Sequence, residues 1–189
     1  MKSLRQVAGL LLSVSLALGP LGCASGSGST SAGDGATDSG ADRFSSFSGQ
    51  TLDGKRLDLG DKLGKDVVLV SFWATWCEPC KTEMPFLQSY HEKYQAAGLS
   101  LVSVSIDGPD TAADVAPYIR RLGYTFPVVL DEDGAIAQRH NPAGTAPFAI
   151  LVGRDGRVVK RIAGFQPSEA PELEREIRHL LGLADDVSK

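Results

Sequence analysis

The chain has 189 residues, room for one domain of ordinary size plus flanking segments, and 42% hydrophobic content is enough for a proper core. Its 19 Lys and Arg against 23 Asp and Glu give a formal charge of −4, and no basic stripe interleaved with aromatics offsets it, which argues against a nucleic-acid partner. The three cysteines are an odd number, so one of them needs a use other than an internal disulfide.

Lys2 and Arg5 precede an apolar stretch over residues 7–18, too short to span a bilayer and of the size of an export signal's apolar region. Leu21-Gly22-Cys23 then resembles the end of a bacterial lipobox, in which the cysteine receives lipid and becomes the mature N-terminus. Residues 1–22 are thus expected to be a lipoprotein signal peptide, with lipidation at Cys23 accounting for the odd cysteine. An ordinary secretory signal with a spare thiol is the alternative. Residues 24–42 contain only Ala, Ser, Gly, Thr and Asp, with nothing to bury. The segment 23–43 therefore reads as a lipidated cysteine and flexible tether, holding the domain about 25 Å from the membrane on average. Residues 44–189 form that single domain, and no internal repeat interrupts it.

Within the domain, residues 44–59 read as a short hairpin turning at Asp53-Gly54. The β-branched and aromatic run 67–73 reads as a central strand buried on both faces, and 78–97 as a helix. A strand is expected at 99–106, a helix at 111–122, a strand at 126–130 and a short helix at 135–140. Strands at 148–152 and 158–163 and a helix at 168–181 complete the pattern. Alternating β and α elements followed by a hairpin imply an α/β fold, a mixed central sheet flanked by helices on both faces.

The chemistry concentrates where the central strand hands over to the helix, at Trp76-Cys77-Glu78-Pro79-Cys80. A cysteine at a helix N-terminus faces unpaired N–H groups and the positive end of the helix dipole, both of which favour thiolate over thiol. Cys77 is the expected nucleophile and Cys80, one turn deeper, the resolving thiol. A disulfide between them closes a very small loop and removes little entropy from the unfolded chain, so it suits exchange better than reinforcement. Glu78 should oppose a Cys77 thiolate and Lys81 should favour it, with no net direction.

Here the sequence resembles the thioredoxin superfamily and, within it, the TlpA/ResA-like envelope thiol-disulfide oxidoreductases. Residues 70–80 look like the family's active-site signature, and Lys81-Thr82-Glu83-Met84-Pro85 like the start of its kinked helix. Gly144-Thr145-Ala146-Pro147 resembles the cis-proline loop, and Arg154-Asp155-Gly156-Arg157 the hairpin after it. The resemblance implies a thioredoxin-like fold with an N-terminal hairpin and a central αβ insertion between residues 99 and 140.

On the resemblance, Pro147 is the cis-proline beside Cys77, and the backbone of Ala146 is free to pair with a substrate strand. In thioredoxin a buried aspartate on the preceding strand handles the proton of the second thiol, but that position here looks like Ser71, which cannot titrate near neutral pH. Glu83, three residues after Cys80, matches a glutamate of the ResA-like pattern and could take or return that proton. The bland alternative is that Glu83 caps or solvates the first turns. Trp73 reads as core and Trp76 as a partly exposed contact for substrate. His91 and His179 read as solvated helix residues, and His140 as lying near the cis-proline region without a role.

The sequence therefore reads as a membrane-tethered thiol-disulfide oxidoreductase that needs no cofactor. Its expected catalytic residues are Cys77, Cys80, Glu83 and Pro147, with Trp76 and Ala146 touching substrate. The resemblance implies oxidised envelope clients such as apocytochrome c, electrons from a membrane-embedded thiol donor, a monomer, and a place at the bacterial cell envelope outside the cytoplasm. Two alternatives stay open. A copper-assembly protein of the Sco type resembles Cys-X-X-X-Cys plus a distant histidine, one residue longer than the spacing here. A peroxiredoxin-like peroxidase is suggested by Thr75, two residues before Cys77. A structural zinc site lacks a second ligand pair, and c-type haem attachment fails because Lys81 follows Cys80.

Overall fold

The computed structural model describes residues 42–184, so the expected signal peptide, Cys23 and most of the tether lie outside the described residues. The described chain builds a two-stranded sheet, β1 (Ser48–Gln50) and β2 (Arg56–Asp58), and a five-stranded sheet. The larger sheet contains β3 (Val67–Trp73), β4 (Leu99–Ser105), β5 (Val128–Leu130), β6 (Phe148–Val152) and β7 (Val158–Ala163), in the order β5-β4-β3-β6-β7. The helices are α1 (Glu78–Tyr94), α2 (Ala112–Leu122), α3 (Ala135–His140) and α4 (Ala170–Leu181).

Every residue of β3 is buried, as its unbroken apolar run requires of a strand covered on both faces. It pairs in parallel with β4 and antiparallel with β6, so the sheet is mixed. Two successive crossovers, β3 to α1 to β4 and β4 to α2 to β5, step the same way along the sheet. Their common right-handedness puts α1 and α2 on one face. There Val67, Leu69 and Trp73 of β3 pack with Met84, Leu87 and Tyr90 of α1, Val115 of α2 and Ile177 of α4. The opposite face, with Val68, Val70 and Phe72, is covered by Phe44, Phe47 and Leu59 of the N-terminal segment and by Ile136 and Ala137 of α3.

Several bounds differ from expectation for local reasons. The hairpin strands are three residues each, because residues 51–55 close the turn between them, the Thr51 N–H donating to the Lys55 carbonyl at 2.9 Å, and Thr51 also bridges Val129 of β5. Gly49 allows that approach, since a Cβ there would stand 2.4 Å from Val129 Cγ1. Helix α1 stops at Tyr94, residues 95–97 tighten into a 3-10 turn, and Gly98, at φ 99°, turns the chain into β4. Pro127 has no N–H to donate, so β5 begins at Val128 although Ser103 N–H still bonds the Pro127 carbonyl at 2.9 Å. Pro171 likewise cannot close an α-turn onto Pro167, and residues 167–169 form a 3-10 turn before α4.

Candidate active site

Strand β3 ends at Trp73 and α1 begins at Glu78, leaving a four-residue turn that carries Cys77 to the helix mouth. The Cys77 N–H donates to the Ala74 carbonyl at 3.1 Å, and Cys77 is the N-cap, its Sγ accepting from the Cys80 N–H at 3.2 Å. The sulfur thus occupies the place where the unpaired N–H groups and the positive helix end converge. Cys77 and Cys80 are joined as a disulfide with an S–S distance of 2.04 Å. Cys77 keeps 5% of its surface and Cys80 none, so an incoming partner meets only Cys77. Glu78 and Lys81 pair with each other on the exposed side of the first turn.

Glu83, three residues after Cys80 on α1, is buried, and its Oε2 accepts a 3.2 Å hydrogen bond from Ser71 Oγ of β3. Burial raises its carboxyl from 4.5 to about 7, against the opposing pull of the Ser71 hydroxyl. The same residue lines a cleft of about 320 Å³ shared with Lys160–Ala163 of β7, Phe165 and the first turn of α4. A buried acid titrating near neutrality with a cleft beside it has the properties of a proton donor and acceptor.

The Ala146–Pro147 bond is cis. Phe148 pairs with Phe72, so the antiparallel register carries residues 146 and 147 alongside the end of β3, where Ala146 packs against the cluster that contains Cys77 and Cys80. Asn141 fixes this loop, donating from Nδ2 to the Thr145 carbonyl at 2.7 Å and accepting from the Thr145 N–H at 3.2 Å. The Pro147 carbonyl accepts from Gly164 N–H at 2.8 Å, while among the described residues no hydrogen bond engages the backbone of Ala146. Trp76 is 59% exposed and borders a groove of about 560 Å³ with Pro117, Tyr118 and Arg121 of α2. Trp73 is fully buried against Tyr118.

Asp107 is a site residue the sequence reading did not identify. It is fully buried two residues beyond β4 and accepts from Thr75 N–H at 3.0 and 3.2 Å, from the Thr75 hydroxyl, and from Ser105 Oγ at 2.8 Å. The Thr75 hydroxyl, the basis of the peroxidase alternative, is therefore directed at Asp107. Asn141 was missed as well. The available signals were positional: Asp107 follows the C-terminal end of a parallel strand, where polar site loops gather, and Asn141 opens an Asn-Pro turn.

Of the histidines, His91 departs from the expected solvated position. His91 is only half exposed, its Nδ1 is buried without a partner, its ring meets the edge of Phe126, and burial pushes its pKa down. His140 stacks on Phe44 at 4.5 Å in the core layer on the face opposite α1. His179 is exposed. Among the described residues no three His, Cys, Asp or Glu side chains cluster to hold a metal ion, and no helix is long and apolar enough to cross a membrane.

Residues 41–161 match the AhpC/TSA family. The chain is similar to the thiol-disulfide oxidoreductase ResA of Bacillus thuringiensis (strain Al Hakam), 36% identical over 121 residues, 64% of this chain and 68% of that one. Among solved structures it resembles a Chlorobium tepidum protein described as the thiol:disulfide interchange protein DsbE, with TM-score 0.68, 30% identity, and coverage of 75% of this chain and 97% of the other. It also resembles the exposed lipoprotein thioredoxin Etrx1 of Streptococcus pneumoniae strain TIGR4, with TM-score 0.59, 25% identity, and coverage of 70% and 99%.

Proposed function

The chain belongs to the AhpC/TSA family and is a TlpA/ResA-like thiol-disulfide oxidoreductase, and from that premise we propose that it reduces disulfides of exported proteins while tethered to the bacterial envelope by lipid at Cys23. The observation that carries the reading is the dithiol at the mouth of α1, with Cys77 reachable, Cys80 enclosed and Glu83 buried three residues further along the helix.

In the forward direction the Cys77 thiolate attacks one sulfur of a client disulfide, and the client's other sulfur leaves as a thiolate. Cys80 then gives up its proton and attacks Cys77 Sγ. The Cys77–Cys80 bond forms and the client's second sulfur departs and is protonated. Two electrons pass to the client, and a membrane-embedded thiol donor restores the dithiol by the reverse exchange. Glu83 takes the Cys80 proton, a role that suits a carboxyl held near 7. The client strand lies along Ala146 and against Trp76, since the former has unused backbone groups and the latter is exposed.

Apocytochrome c awaiting haem is the proposed client. The ResA likeness of the domain and the likeness to an exposed lipoprotein thioredoxin support an extracytoplasmic, lipid-anchored placement. The test is to replace Cys80 with serine and identify what accumulates on Cys77 as mixed disulfides. Exported cysteine proteins, apocytochrome c among them, are expected. A reduction potential as oxidising as about −120 mV would reverse the direction, and failure of Cys23→Ser to release the protein from membranes would remove the anchor.

A further inference from the structure

The parallel register of β3 and β4 sets Trp73 opposite Ser105, so the chains leave the sheet side by side. Two residues beyond each strand end, Thr75 and Asp107 meet, and the Asp107 carboxylate receives the Thr75 N–H, the Thr75 hydroxyl and the Ser105 hydroxyl. All these partners are N–H and O–H groups, and no ion pair is among them. A buried carboxylate without a cation is a costly way to hold a turn that a neutral side chain could also hold.

We propose that Asp107 is a positioning residue for exchange at Cys77: its carboxylate clamps the Thr75–Trp76 turn onto the end of β4, and its negative charge behind the mouth of α1 opposes the Cys77 thiolate, biasing the dithiol toward giving electrons away. A less stable thiolate weakens the reduced form relative to the disulfide, which makes the pair a stronger reductant. The inference rests on the reading of Cys77 and Cys80 as the exchanging pair.

The other charges around the turn are accounted for. Glu78 and Lys81 on α1 pair with each other. Asp114 and Arg121 on α2 line the groove that Thr75, Trp76 and Lys81 share. Glu83 lies deeper on α1 against Ser71, and residues 144–147 on the β6 side carry no charge. Among these groups Asp107 alone is bonded to the turn itself.

The test reads the Cys77 thiolate by its ultraviolet absorbance against pH, and the equilibrium with glutathione, in wild type and two variants. Asp107→Asn keeps the shape and removes the charge. The thiolate midpoint is expected to fall by about half a pH unit or more, and the equilibrium above the midpoint to move about threefold toward dithiol. Thr75→Val deprives the carboxylate of one donor and leaves its charge less compensated, so the midpoint is expected to rise. Opposite signs are the signature, because simple loosening of the turn moves both variants alike. Midpoints that stay put or move together overturn the proposal, and if Asp107→Asn does not fold, the sign of Thr75→Val decides. A wild type that never exchanges with glutathione removes the underlying reading too, whereas a wild type that exchanges and is matched by both variants removes this inference alone.

Discussion

Ser71 Oγ donates to Glu83 Oε2 at 3.2 Å in the buried layer between β3 and α1. One hydroxyl is a modest counterweight to complete burial, so the carboxyl is left near 7, where it can change hands with a proton at ordinary pH. Ser71 of β3 thus holds in place an acid carried by α1.

Glu83→Gln tests that acid kinetically. The variant keeps the Ser71 contact in kind but has no proton to exchange, so client reduction is expected to slow by about tenfold to a hundredfold and to lose its inflection near neutrality. The measurement is a pH–rate profile alongside the thiol titrations. Profiles that coincide with wild type would end the assignment.

The same substitution has a stability signature. The folded domain binds the Glu83 proton more tightly than the unfolded chain does, because burial raises the group from 4.5 to about 7. Between those values the folded state holds more protons, so its contribution is complete below 4.5 and lost as pH rises through about 7. Wild type should therefore lose about 3 kcal/mol over that range relative to Glu83→Gln, read by urea unfolding at a series of pH values. A flat difference would show that the carboxyl is not held where burial puts it.

Trp76→Ala separates contact from scaffold. At 59% exposure the indole contributes little packing, and the change in folding stability is expected to stay within about 0.5 kcal/mol. Reduction of a protein disulfide should weaken about tenfold through KM, with a small-molecule disulfide unaffected. Equal loss on both substrates would mean that Trp76 shapes the dithiol instead of the client site.

Asn141→Ala removes both side-chain bonds to Thr145. A cost of about 1–3 kcal/mol in stability is expected from two lost partners. Reduction of protein clients should fall more than that of small disulfides, because the backbone beside Ala146 is no longer held. Unfolding curves and paired substrate assays check this, and an unchanged substrate ratio would refute it.

The legible parts of the molecule were those that local chemistry dictates. The run 67–73 can only be a doubly covered strand, and Cys77 and Cys80 announce themselves by spacing and by the helix that follows. Asp107 was hidden because its meaning lies 32 residues away at Thr75, and only the strand register brings the two together. His91 was misjudged as a solvated helix residue because Phe126, which packs against its ring, lies beyond the next strand and helix. The bridge from Thr51 to Val129 of β5 is likewise one that no local pattern encodes.

The unequal access to the two sulfurs acts as a turnstile. Because Cys80 is shut away while Cys77 retains a sliver of surface, no visitor can dock on the inner sulfur and strand the domain in a dead-end adduct. Every covalent encounter begins on the outer atom with its releasing neighbour already one helical turn away, so the order of bond changes is written into the architecture and does not depend on the identity of the visitor.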